Sequence, residues 1–246
     1  MKNKLLLLSV CVMLLTAGCG TTNQPQTETS NADNSQQTES TAKTEDSGTK
    51  SERVSENFVT YTDSIGVPHI LYLGVVQNTD TKPLEYGEVT IDVNDDSGNL
   101  IKHLDMGSVY PRYLMPGEKG YICEDCAKLD DTIDLTKVAK TEMHYGTRAA
   151  TNYKKPNVEI TQLELKTNQF GPNIIGKVKS NEDIEDLWIA LPVCDSNGNL
   201  QTVAIANIEN ISNGDERGFE CTPIEYDSNM DFSTSKVEAI PYVSLF

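Results

Sequence analysis

Basic residues are in short supply: 20 Lys and Arg stand against 37 Asp and Glu, for a formal charge of −17. That balance excludes the basic footprint of a nucleic-acid-binding surface and the polybasic patch of a membrane-surface segment. It reads as a solvated surface that resists self-association, with weak multi-site cation binding as the competing reading. Histidine occurs three times. His69, His103 and His144 lack metal-ligand spacing, so no metal site is written in the sequence. No Gly-x-Ser-x-Gly, phosphate loop or dinucleotide fingerprint appears, so neither an enzyme nor a cofactor is expected. Helical periodicity is scarce, and short alternating runs between turn residues take its place, which points to an all-β chain.

The one long apolar run, Leu5 to Leu15, comes after Lys2 and Lys4. It is too short to span a bilayer comfortably but suits a signal-peptide core. It leads into Leu15-Thr16-Ala17-Gly18-Cys19, which looks like a bacterial lipobox: small residues fit the peptidase groove and the Cys19 thiol accepts the lipid. Residues 1–18 are therefore expected to be a lipoprotein signal peptide and Cys19 the lipidation site. The protein is then extracytoplasmic and held on the cell membrane through its N-terminal lipid. From Gly20 to Glu52 there is no aromatic residue and hardly an aliphatic one. Such a stretch cannot bury enough surface to offset its ordering entropy, so 19–52 reads as the lipidated cysteine and a disordered tether. As a flexible coil it would span roughly 30 Å.

The remainder spells one pattern twice. Gly74-Val75-Val76-Gln77-Asn78, Val89-Thr90-Ile91-Asp92-Val93, Asp96-Ser97-Gly98-Asn99-Leu100 and Pro116-Gly117-Glu118 return in order about a hundred residues later. The second set is Gly176 to Asn181, Ile189 to Val193, Asp195-Ser196-Asn197-Gly198-Asn199-Leu200 and Asn213-Gly214-Asp215. Phe219 is read as replacing Tyr121. Residues 53–152 and 153–246 are thus expected to be two tandem β-sandwich domains. Val89, Ile91 and Val93, like Ile189, Leu191 and Val193, fall on a buried face. Trp188, Ala190 and Pro192 fall on the opposite one, and Pro192, lacking an N–H, suggests an edge strand or a bulge. Trp188 is the only tryptophan. It is either an interaction anchor or a residue packed on the neighbouring domain.

These residues resemble the FxLYD domains of bacterial surface lipoproteins. Gly74 to Asn78, Ile91-Asp92-Val93-Asn94-Asp95 and Pro116-Gly117-Glu118 occupy the places of that family's motifs, as do Leu191 to Asp195 and Asn213 to Asp215 in the second copy. Neither copy has the aromatic residues of the naming motif, and the second lacks the proline. The resemblance implies an immunoglobulin-like sandwich outside the cell and no catalytic motif.

Four cysteines remain beyond Cys11 and Cys19: Cys123, Cys126, Cys194 and Cys221. Three pairings are open, with Cys123–Cys126 and Cys194–Cys221 the expected one, although alternation places Cys194 and Cys221 awkwardly. Cys123-Glu124-Asp125-Cys126 also has redox-motif spacing, but no convincing helix comes after it to stabilise a thiolate. Asp95 to Asn99 and Asp195 to Asn199 are oxygen-rich; they lack EF-hand spacing and match hairpin-turn chemistry. The function expected is non-catalytic adhesion, scaffolding or envelope interaction, with an envelope protein or polysaccharide as partner. Alternatives are a small-ligand or cation-binding lipoprotein serving a transporter, and an extracellular thiol-active protein.

Overall fold

The structure, a computed structural model, describes residues 48–127, 132–168 and 171–244. The signal peptide, Cys19 and all but the end of the tether lie outside the described residues. The first copy contains β1 (Ser51–Thr62), β2 (Pro68–Asn78), β3 (Leu84–Asn94), β4 (Leu100–Gly107), β5 (Tyr113–Leu114), β6 (Lys119–Asp125) and β7 (Lys140–Ala149). The second contains β8 (Val158–Asn168), β9 (Gly171–Ser180), β10 (Ile184–Cys194), β11 (Leu200–Ile211), β12 (Glu216–Cys221), β13 (Lys236–Val237) and β14 (Ile240–Val243). β1 begins inside the expected tether, because Ser51 and Glu52 already pair with Asn78 and Gln77.

The copies share one antiparallel topology. β2 lies between β1 and β6, as β9 lies between β8 and β12. β3 is flanked by β4 and β5 on one edge and β7 on the other, as β10 is flanked by β11 and by β13 with β14. The turns repeat as well. Asp95 and Asp195 each accept from the backbone amides two and four residues on and from the Asn side chain at the fourth, while Gly98 and Gly198 take positive φ. These carboxylates are consumed by their own turns, which is the chemistry of a hairpin. The Gly117 and Gly214 amides likewise donate to Asn78 and Ser180.

The structure corrects one equivalence. Phe219 stands opposite Gly176, and the residue opposite Gly74 is Ile122, whereas Tyr121 stands opposite Val75. Ile122 is therefore the counterpart of Phe219. A one-residue slip in a strand exchanges its two faces, so Tyr121 points away from the core that Ile122 helps to fill.

Tyr121 points instead into a layer between the copies. The β1–β2–β6 sheet is apolar on both sides: every residue from Ile70 to Val76 is buried. Ile70, Tyr72 and Val76 pack against β3 residues Val89, Ile91 and Val93. Leu71, Leu73, Val75, Tyr121 and Cys123 meet Ala190, Val203, Ile240 and Tyr242 of the second copy. On the far side of β10, Leu187, Ile189, Leu191 and Val193 pack with Ile174, Val178 and Phe219. Four sheets thus succeed one another with a hydrophobic layer between each pair. The two sandwiches are joined face to face, and the described residues form one compact unit.

The middle layer accounts for two departures from alternation. β3 keeps a half-exposed outer face at Thr90 and Asp92, but Ala190 and Pro192 are buried under the first copy. Pro192 is also in a central strand, not an edge. Its carbonyl accepts from the Glu238 amide at the break between β13 and β14, so its missing donor faces an interruption in the ladder. The two outermost sheet faces are charged. Asp92, His103 and His144 mark one, and Glu164 with Lys166 and Lys177 with Glu216 mark the other.

Candidate functional site

Trp188 lies where the seam between the copies opens. β10 puts its odd positions into its own sandwich and turns Asp186, Trp188 and Ala190 toward the first copy. In register beside Trp188 are Asn207 of β11 and Tyr242 of β14. The indole Nε1–H donates to Asp186 Oδ2 at 2.7 Å, and Asn207 Nδ2 donates to the other oxygen at 2.5 Å. The Tyr242 ring is 6.5 Å from the indole, tilted by 30°. A half-buried indole pinned at its nitrogen and backed by a phenol has little rotamer freedom left to lose on binding.

Two clefts meet at this side chain. One, of about 490 Å³, is bounded by Tyr86, Tyr110 and Arg112 of the first copy and by Asp186, Trp188 and Tyr242 of the second. The other, of about 870 Å³, runs past Pro156, Asp183, Glu185, Trp188, Asn207 and Glu209. Both volumes fall in the range of small-ligand sites. Burial pushes the phenols of Tyr110 and Tyr242 up, so both are neutral hydrogen-bonding groups. Arg112 is drawn to Glu85 at 2.8 Å. The Arg148 bond, with Arg112 beside it, holds the Glu85 carboxyl below the usual range against the effect of burial. The arrangement offers a fixed aromatic face, phenol edges and carboxylates: the chemistry of recognition.

The cysteines do not meet in the expected pairs. All four thiols are free. Cys123 is in the layer between the copies, whereas Cys126 is in the first copy's own core. Three residues apart along an extended segment is an odd step, which sends the two side chains to opposite faces. Cys194 borders the middle layer and Cys221 the second copy's core, so a sheet separates them too. Burial pushes the Cys123 thiol up to about 12 and Cys221 up to about 11, and lifts Cys126 as well. Cys123 stands on a strand and donates to the Glu225 carbonyl at 3.3 Å, far from the setting of a reactive thiolate.

Two clusters escaped sequence reasoning because they assemble across strands. His69 Nδ1 lies 2.7 Å from Asp125, its Nε2 lies 3.5 Å from Asp63, and its ring stacks on Tyr61 at 4.6 Å. On the outer face of β3, His103 lies between Asp92 and Asp105 at 2.5 and 2.9 Å, with His144 3.6 Å from Asp92. Among the described residues no group of His, Cys, Asp and Glu is arranged to hold a metal ion.

No family model matches the chain, and no curated protein matches it. Among solved structures, a calcium-binding mutant of Bacteroides uniformis beta-glucuronidase 2 is similar at 16% identity with a TM-score of 0.22. The match covers 74% of this chain and 26% of that one, so it spans about a quarter of the other protein. A likeness that weak bears on neither fold nor function.

Proposed function

We propose that the protein is a lipid-anchored, extracytoplasmic binding module, a degenerate relative of the FxLYD lipoproteins. Cys19 would carry the lipid, and residues 20–50 would lift the paired sandwiches off the membrane toward an envelope partner. Recognition, rather than turnover, is its work. The observation that carries this reading is the fixed indole of Trp188 at the mouth of the seam. Trp188 occupies the place that Glu88 holds in the first copy, and most of its neighbours on that face are sealed between the sandwiches. An aromatic side chain left at the margin, with its nitrogen already bonded, fits an anchor for a partner.

Co-sedimentation of the full-length protein with isolated cell-envelope material tests it. Trp188→Ala is expected to abolish the association without changing the melting temperature by more than a few degrees, and Trp188→Phe to retain part of it. A Trp188→Ala variant that sediments like the wild type overturns the reading. Metabolic labelling with a palmitate analogue tests the anchor separately, since Cys19→Ala should lose both the label and the membrane.

A further inference from the structure

Resting on that reading of the Trp188 cleft, we infer that its ligand is an elongated organic cation, with ammonium or guanidinium groups carried on a flexible chain. The first ground is charge that has no counter-charge among the described residues. The wall of the larger cleft presents Glu182, Asp183, Glu185, Asp186 and Glu209. Those that are hydrogen-bonded are served by neutral donors. Glu182 accepts from the Asn157 amide at 2.7 Å, Asp183 from the Asn213 amide at 2.8 Å, and Asp186 from the indole and the Asn207 amide. Such bonds fix the oxygens and leave the negative charge in place.

The basic residues at the rim are turned elsewhere. Lys155 Nζ lies 2.5 Å from Glu118, and Arg112 is held by Glu85. Among the described residues lining this cleft, Lys154 alone remains at the edge against five carboxylates. Carboxylates of one sign gathered on one wall raise the local concentration of cations, an attraction that salt screens.

The second ground is the aromatic face. An indole attracts a cation over its ring, more strongly than a phenol does. Its N–H already donates to Asp186, so the ring face is what Trp188 has left to offer. The third is shape. The two clefts share Asp186, Trp188 and Ser244, and together they hold far more volume than one ammonium fills. Among the described residues these carboxylates do not gather into a group that could hold a metal ion, which suits several charges carried on a chain better than one metal ion.

A single tryptophan makes the test direct, because its emission reports this site alone. The full-length protein is titrated with spermine, with a lysine- and arginine-rich decapeptide and with a neutral oligosaccharide. A saturable change with either cation, weakened several-fold by half-molar salt, is expected, and the tighter of the two identifies the source of the charges. Glu185→Gln combined with Glu209→Gln leaves the indole's hydrogen bonds intact and should weaken cation binding about tenfold, or about 1.4 kcal/mol. An unchanged affinity in that variant overturns the inference. A response to the oligosaccharide and not to the cations overturns the ligand class and keeps the cleft as the site. Silence with every probe also rejects the cation, and envelope association that survives Trp188→Ala rejects the site itself.

Discussion

The ring of Phe219 lies directly over the backbone of Gly176, its cross-strand partner, so that a Cβ on that glycine would sit 2.2 Å from Cζ of the ring. Phe219 is buried in the second copy's core, and the glycine supplies the room for it. Gly176→Ala is therefore expected to cost about 2–3 kcal/mol through overpacking. Gly146→Ala has no atom within 4 Å to meet and should stay within about 0.5 kcal/mol of wild type. Chemical denaturation of both variants checks the contrast.

The shared middle layer joins the two sandwiches, so they should unfold as one body. Calorimetry of the full-length protein should show a single transition. Leu73→Ala removes a side chain from the middle layer and should cost about 3 kcal/mol. Ala190→Asp places an unpaired carboxylate in the same dry layer and should uncouple the copies, splitting the transition in two. Two resolved transitions in the wild type would contradict a shared layer.

Asp125 is a buried charge with a defined set of partners: His69 Nδ1 and the amides of Ile70 and Ala127. Asp125→Ala should cost about 3 kcal/mol by stranding those donors. Burial works against a charge on His69, but Asp125 and then Asp63 outweigh it, and the imidazole pKa is raised. The stability this contributes is fully present below the ordinary histidine value of about 6.5 and is lost as pH rises through the raised folded value. The gap in melting temperature between wild type and His69→Gln should therefore shrink from pH 6 to pH 8.5. Comparing the two proteins cancels the parallel contribution of His103, whose pKa is raised by Asp92 and Asp105.

Thiol chemistry gives a fourth check. Alkylation in denaturant without reductant should label Cys123, Cys126, Cys194 and Cys221 alike. In the native state at pH 8 Cys123 and Cys126 should resist labelling, because burial keeps both protonated. A peptide joined through Cys123 and Cys126, or through Cys194 and Cys221, would refute the arrangement.

Much of the architecture was legible in residues 51–244, because alternation and turn chemistry are local and the copies vouch for each other. Val89, Ile91 and Val93, with Ile189, Leu191 and Val193, are all wholly buried, as their spacing requires. The middle layer was harder to see, because alternation shows only that a strand has two faces and not what covers the second. A signal was nonetheless present in the differences between copies. Thr90 and Asp92 in the first answer to Ala190 and Pro192 in the second, and Lys177 and Glu220 in the second answer to Val75 and Cys123 in the first. Polar-to-apolar exchanges confined to one face mark a surface that one copy buries and the other leaves wet. The site was half legible. Trp188 stood out by its rarity, and alternation puts Asp186 on its face, whereas Asn207 and Tyr242 become its neighbours only through strand pairing. The cysteine pairs failed because the even count was weighed above alternation, which already sets Cys123 and Cys126, three residues apart, on opposite faces and places Cys194 and Cys221 awkwardly.

The charged outer faces decide how far such a stack can grow. The first copy offers an oily plane only on the face of β2 and β6 that carries Leu73, the second only on the face of β10 and β11 that carries Ala190, and each covers the other. A third copy set against either outer face would meet charge in place of an oily plane. Duplication has thus become a fixed pairing with a direction, and neither half is any longer an interchangeable bead.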